Sequence, residues 1–126
     1  MTTLFSCFPG LSDAQKQQFE GLKAQYEFWN AQINVISRKD MDAMEVHHFL
    51  HALSLAKFLN FRPGTRIMDL GTGGGIPGLP LAIFFPEVHF VLIDSIGKKI
   101  KVAGEIAQAL DLKNVEAIQM RAEEWK

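Results

Sequence analysis

Apolar residues in the first sixty positions recur at helical spacing. After Leu11-Ser12-Asp13, which offers an N-cap, they fall at Phe19, Leu22, Tyr26, Trp29, Ile33 and Ile36, three or four apart, and predict one long helix. A second helix is expected from near Asp40, with Met41, Met44, Phe49, Ala52, Leu55, Ala56 and Leu59 as its buried face. Phe61-Arg62-Pro63-Gly64-Thr65 breaks that pattern and marks a boundary.

Beyond Thr65 the pattern changes. Arg66-Ile67-Met68-Asp69-Leu70 reads as a short strand running into Gly71-Thr72-Gly73-Gly74-Gly75. A helix over about Ile76 to Phe85 comes next, with Pro77 suited to its first turn. A strand from Val88 to Asp94, a helix from about Gly97 to Leu110 and a strand from Asn114 to Met120 complete the chain. Strand, glycine loop, helix, strand, helix, strand is the opening of a doubly wound parallel sheet, here incomplete. The expected fold is therefore α/β and Rossmann-like. An N-terminal helical segment over residues 1–62 precedes the first half of a nucleotide-binding domain over 63–126.

Composition narrows the class. The 126 residues suffice for one core and are too few for two. A hydrophobic share of 48% and a charged share of 21% are those of an ordinary globular chain, which excludes disordered and fibrous classes. Cys7 stands alone, so an internal disulfide framework is excluded and a reducing cytoplasm fits. No basic-then-apolar leader opens the chain. Its most apolar stretch, Ile76 to Phe85, is broken by Pro and Gly and too short to span a bilayer, so no membrane partner is expected. Thirteen basic against fourteen acidic residues argue against indiscriminate coating of nucleic acid, and no DNA partner is expected. A local basic patch remains compatible with that balance.

The glycine loop carries the candidate chemistry. Gly73-x-Gly75-x-x-Gly78 satisfies the dinucleotide fingerprint, because glycines there let the chain turn sharply and let a ligand approach the main chain. Charge discriminates between cofactors. A dinucleotide brings an anionic pyrophosphate, which wants bare N–H groups at a helix N-terminus. S-adenosyl-L-methionine has no phosphate and presents an ammonium and a carboxylate. Asp69, at the strand end two residues before Gly71, would attract the ammonium and repel a phosphate. Asp94 closes the second strand, where an acid can accept ribose hydroxyls of either cofactor. At the end of the third strand, Met120-Arg121-Ala122-Glu123 places backbone amides and a carboxylate where an adenine edge could be read.

These residues, in this order, resemble the small-subunit (16S) ribosomal RNA guanine-N7 methyltransferases, first named as glucose-inhibited division protein B. Four stretches carry the resemblance: Phe28 through Ser37 (FWNAQINVIS), Asp69 through Pro80, Val91 through Lys99 (VLIDSIGKK), and Arg121-Ala122-Glu123-Glu124. The glycine loop running on into Ile76-Pro77-Gly78-Leu79-Pro80 is far more specific than the bare fingerprint. The resemblance implies an S-adenosyl-L-methionine-dependent methyltransferase acting on guanine N7, with small-subunit ribosomal RNA or the ribosomal subunit as partner. It implies cofactor contacts at Gly71, Ile76 and the Ala122-Glu123 pair; Gly71 and Glu123 are also reached from the residues alone, as are Asp69, Gly73 and Asp94. The family often has Arg where His47 stands and Asp where His51 stands. Its members also continue past the position of Lys126, with a further strand and a Ser-Arg-Ala segment. The isolated 126 residues are accordingly expected to lack methyl transfer, and to self-associate through a bare edge of the first strand.

Other chemistry is sparse. His47 and His51, four apart, could share a helix face, but no third metal ligand accompanies them, and a structural or solvated role is favoured. Lys98, Lys99 and Lys101 open the helix after Asp94 and fit either RNA phosphates or a solvated face; the same holds for Arg38-Lys39. Phe5 and Phe8 fit core packing better than base stacking. No general base stands out, and none is needed at guanine N7, which already exposes a lone pair. The competing readings are an NAD(P)-dependent oxidoreductase, against which Asp69 speaks, and a non-catalytic interaction module on a partial nucleotide-binding fold.

Overall fold

The computed structural model describes residues 1–33 and 43–124. Its centre is a parallel sheet in which β1 (Arg66–Leu70), β2 (His89–Asp94) and β3 (Val115–Gln119) lie side by side in chain order. Arg66 pairs with His89 and Leu70 with Ile93, then Phe90 with Val115 and Asp94 with Gln119, so all three strands end at one rim. Parallel neighbours need crossover connections. Helix α4 (Gly78–Phe84) joins β1 to β2, and α5 (Gly97–Ala109) joins β2 to β3.

Residues two apart on a strand share a face. Phe90 and Leu92 of β2, with Ile67, Val115 and Ala117 beside them, face a continuous apolar cluster containing Leu79 and Ile83 of α4 and Val102, Ala103 and Ile106 of α5. The other face carries Met68, Val91, Ile93 and Ile118, none of which belongs to that cluster. There Glu116 lies 4.0 Å from Arg66 and 3.5 Å from His89.

The N-terminal helices close the core from the helical side. Helix α1 (Thr2–Cys7) precedes α2 (Asp13–Asn30), whose start is fixed by a reciprocal bond pair between Ser12 and Gln15. Gln15 then reaches beyond its own helix and donates to the Ile83 and Phe84 carbonyls at 3.0 and 3.3 Å, satisfying the C-terminal end of α4. Phe19, Leu22 and Tyr26 are fully buried in the same cluster, and Phe8 meets Phe84 edge to face. Residues on both sides of position 62 thus share one core. Phe5 is half-buried against it.

Several expected elements differ in place. The short helix α1 has no capping side chain and only one buried residue, Leu4, and left no periodic signal. Helix α2 stops at Asn30, although Ile33, in the turn beyond, still packs on the core and so prolongs the apolar spacing. Ile36, Arg38-Lys39 and the expected helix start at Asp40 and Met41 lie outside the described residues. The second helical segment opens on a π-helical turn, Glu45–Leu50, before α3 (His51–Ala56). A π turn takes up about one extra residue and shifts the phase of the helix beyond it. The buried stripe therefore runs Met44, Phe49, Ala52, Leu53, Ala56, while Leu55 and Leu59 are exposed, contrary to expectation. Helix α4 begins at Gly78 and not at Ile76, because Gly75 at φ 107° and Pro77 at ψ 1° hold the chain outside helical geometry. Asn114 precedes β3 and spends its amide on the Ala82, Phe85 and Val88 carbonyls.

Candidate functional site

The site forms where the three strands end. Beyond β1 the chain bends at Gly71 (φ 71°), and the Gly71 and Thr72 amides both donate to the Ile93 carbonyl of β2, at 2.8 and 3.1 Å. Gly73 (φ 60°) and Gly75 (φ 107°) adopt left-handed backbone that side-chain-bearing residues avoid. At Gly75 space matters as well, since a Cβ would sit 2.5 Å from Leu79 Cδ1.

Two carboxylates hold this loop. Asp69 Oδ2 accepts the Thr72 hydroxyl at 2.7 Å and the Gly78 amide at 3.1 Å. Among the described residues no hydrogen bond reaches its Oδ1. Burial pushes the Asp69 carboxyl above the ordinary carboxylate range; the bonds from Thr72 and Gly78 pull it back, and the nearby Asp94 charge adds to the rise. Asp94, almost fully buried, accepts the Gly73 amide on Oδ2 and the Ile96 amide on Oδ1, both at 2.8 Å. Each Asp94 oxygen retains acceptor capacity, and the pair of amides fixes its orientation. A third tie comes from the N-terminal segment: the buried Tyr26 hydroxyl donates to the Gly74 carbonyl at 2.8 Å.

Beside the loop lies an open cleft of about 510 Å³. Gly71, Asp94, Ser95 and Ile96 line one side, and Met120, Arg121, Ala122 and Glu123 the other, with Ile93 at the floor. The 3₁₀ turn Ala122–Glu124 brings the second group to the rim of β3. Ile96 is half exposed there and presents an apolar side chain to the cleft. Of the residues singled out from sequence, Gly71, Asp94, Ala122 and Glu123 line this cleft together. Asp69 and Gly73 are not among its lining residues but shape the loop, and Ile76 packs against the core. Sequence reading missed Tyr26 as a loop contact, since its place in an apolar helical stripe announced only burial. His47 and His51 are both exposed, away from the cleft lining.

The loop amides bear on cofactor class. Gly73 and Gly78 point their N–H groups at Asp94 and Asp69, so the start of α4 is capped by an acid. A pyrophosphate would meet negative charge where a dinucleotide site offers bare amides. A parallel sheet with a glycine-rich first turn, an acid at or next to the end of each of its first two strands and a cleft at the strand ends defines a Rossmann-like, nucleoside-binding class of fold.

Comparison with known proteins gives the family. The profile of the GidB family, described as rRNA small subunit methyltransferase G, matches residues 15–126. Ribosomal RNA small subunit methyltransferase G of Porphyromonas gingivalis is 60% identical over 116 residues, 92% of this chain and 52% of that protein. The protein of the same name from Phocaeicola vulgatus is 60% identical over 126 residues, all of this chain and 60% of its own length. Among solved structures, the YcgJ protein of Bacillus subtilis superposes with a TM-score of 0.51 at 29% identity, over 60% of this chain and 32% of that one. The chain belongs to the rRNA small subunit methyltransferase G family. It spans a little over half the length of these two curated relatives.

Proposed function

We propose that the protein formed with this chain is an S-adenosyl-L-methionine-dependent methyltransferase that modifies guanine N7 in small-subunit ribosomal RNA, in the cytoplasm. The observation that carries the reading is the cleft that joins Gly71, Asp94 and the Ala122-Glu123 turn in a chain of this family. Its donor set fits the methyl donor. Asp94 would accept the ribose hydroxyls. Ile96 would cover one face of the adenine, and the Ala122 amide and Glu123 carboxylate would meet its edge. The Gly71 and Gly73 backbone would lie along the amino-acid moiety, with Oδ1 of Asp69 left to face an ammonium. Ile76 would support the pocket from behind the loop.

When bound, the cofactor supplies an electrophilic sulfonium methyl. The chain's own part is positional: Asp94 and the 3₁₀ turn fix the nucleoside, and the glycine loop fixes the amino-acid end. Guanine N7 has a free lone pair, so no side chain has to remove a proton. Alignment of reacting groups can contribute at best ~7–11 kcal/mol toward the barrier. Lys98, Lys99 and Lys101 at the start of α5, beside the cleft, would meet RNA phosphates. The unpaired edge of β1 would let these 126 residues associate with a second copy.

The deciding experiment titrates the chain with S-adenosylhomocysteine and with NAD side by side. The first should bind and the second should not; the reverse would return the site to a nicotinamide enzyme. Methyl transfer to small-subunit ribosomal RNA by the protein at the length of its relatives tests the reaction itself.

A further inference from the structure

We infer that Tyr26 is a positioning residue for the glycine loop: its hydroxyl, carried by the N-terminal helix α2, holds the Gly74 carbonyl and with it the loop conformation that receives the cofactor. For its ligand this rests on the methyl-donor reading above. Its effect on the loop does not.

The two acids tie down Thr72, Gly73 and Gly78. None of these ties reaches the middle of the loop. Gly74 is buried there, and among the described residues the bond that meets its carbonyl is the 2.8 Å bond from Tyr26, 48 positions away in the chain. The ring is fully buried and leans on Phe49 at 6.5 Å between centroids, so the hydroxyl has little freedom to leave. Burial, and secondarily the Asp69 charge, push the phenol above its ordinary range, so it is protonated and can donate at neutral pH. A loop of consecutive glycines has many alternative conformations, so a single bond at its centre removes more freedom than it would in a chain of larger residues. A phenylalanine would fill the same space but leave a buried carbonyl without a donor, which the glycines could relieve by moving. The competent fraction of loop conformers then falls, and apparent cofactor affinity falls by the same factor.

The test uses the ligand-free chain first. In Tyr26→Phe, the amides of Gly73, Gly75 and Ile76 should exchange with solvent about ten-fold faster than in the unmodified chain. Leu112→Ala, which removes a buried side chain between α5 and β3, should lower global stability without that local acceleration. Calorimetry with S-adenosylhomocysteine should show about ten-fold weaker binding to Tyr26→Phe and unchanged binding to Leu112→Ala. Tyr26 is also the chain's single tyrosine, so biosynthetic 3-fluorotyrosine gives one fluorine resonance, which should shift when S-adenosylhomocysteine is added. That measurement serves even if Tyr26→Phe fails to fold. Loop amides exchanging at unaltered rates in Tyr26→Phe, or accelerating equally in Leu112→Ala, would overturn the inference. So would a fluorine resonance indifferent to bound S-adenosylhomocysteine. If the unmodified chain binds no S-adenosylhomocysteine, the methyl-donor reading fails instead, and the exchange rates alone decide the role of Tyr26.

Discussion

Asp69 has a cost and a use that pull in opposite directions. Its carboxyl is held above the ordinary carboxylate range mainly by burial, so the folded state binds that proton more tightly than the unfolded chain does. Stability contributed this way is fully present below the unfolded-state value and is lost as pH rises through the raised folded value. Asp69→Asn keeps an oxygen for the Thr72 hydroxyl and the Gly78 amide but carries no charge. At neutral pH its unfolding midpoint should be no lower than that of the unmodified chain, with the comparison shifting towards Asp69 on acidification. Denaturant melts at pH 4 and pH 7 would show this. The same substitution should weaken S-adenosylhomocysteine binding about ten-fold, the worth of one charge-assisted bond, and equal affinity by calorimetry would remove Asp69 from the cofactor. At Gly78 the constraint is space alone. A Cβ there would collide with Leu92 Cδ2 and lie 2.9 Å from Asp69 Oδ2, wedging α4 away from the sheet. Gly78→Ala should therefore cost about 1–3 kcal/mol of stability, read from chemical unfolding.

Among the elements, α5 carries its lysines at the unfavourable end. Lys98, Lys99 and Lys101 stand in the first two turns, where the helix dipole presents positive potential. Replacing all three with Gln should leave the fold as stable or slightly more so. If these side chains meet phosphates, the same change should flatten the salt dependence of RNA binding, by roughly one unit of slope per lost contact, while leaving S-adenosylhomocysteine affinity alone. An unchanged slope would mark them as a solvated face. The π-helical turn Glu45–Leu50 sets the phase of the helix that follows it. Apolar residues there do keep a helical repeat, but the extra residue in the turn shifts its phase, burying Leu53 beside the expected Ala52 and Ala56 and leaving Leu55 and Leu59 exposed.

For the molecule as a whole, the sheet is the feature with the plainest physical consequence. Among the described residues β1 pairs on one side only, and Leu70 at its end is half exposed. β1 itself contains no Pro or Lys, its exposed charge being Arg66 at the start, and parallel sheets are ordinarily covered on both faces. Sedimentation of the 126-residue chain should reveal self-association, relieved by Leu70→Lys; a monomer at high concentration would show that the edge is inert. The strands, the glycine turn and the acids at the ends of β1 and β2 were legible without coordinates, because each is a local pattern: short apolar runs, residues able to take left-handed backbone, a charge at a fixed offset. The helical character of α2 was legible for the same reason, through its spacing and the N-cap offered by Leu11-Ser12-Asp13. Tertiary structure alone decided that Gln15 finishes α4, that the Gly73 and Gly78 amides turn towards Asp94 and Asp69, and that Tyr26 meets Gly74. Those bonds join residues 9 to 69 positions apart. Their existence depends on how α2 and β2 dock against one loop, which no spacing along the chain records.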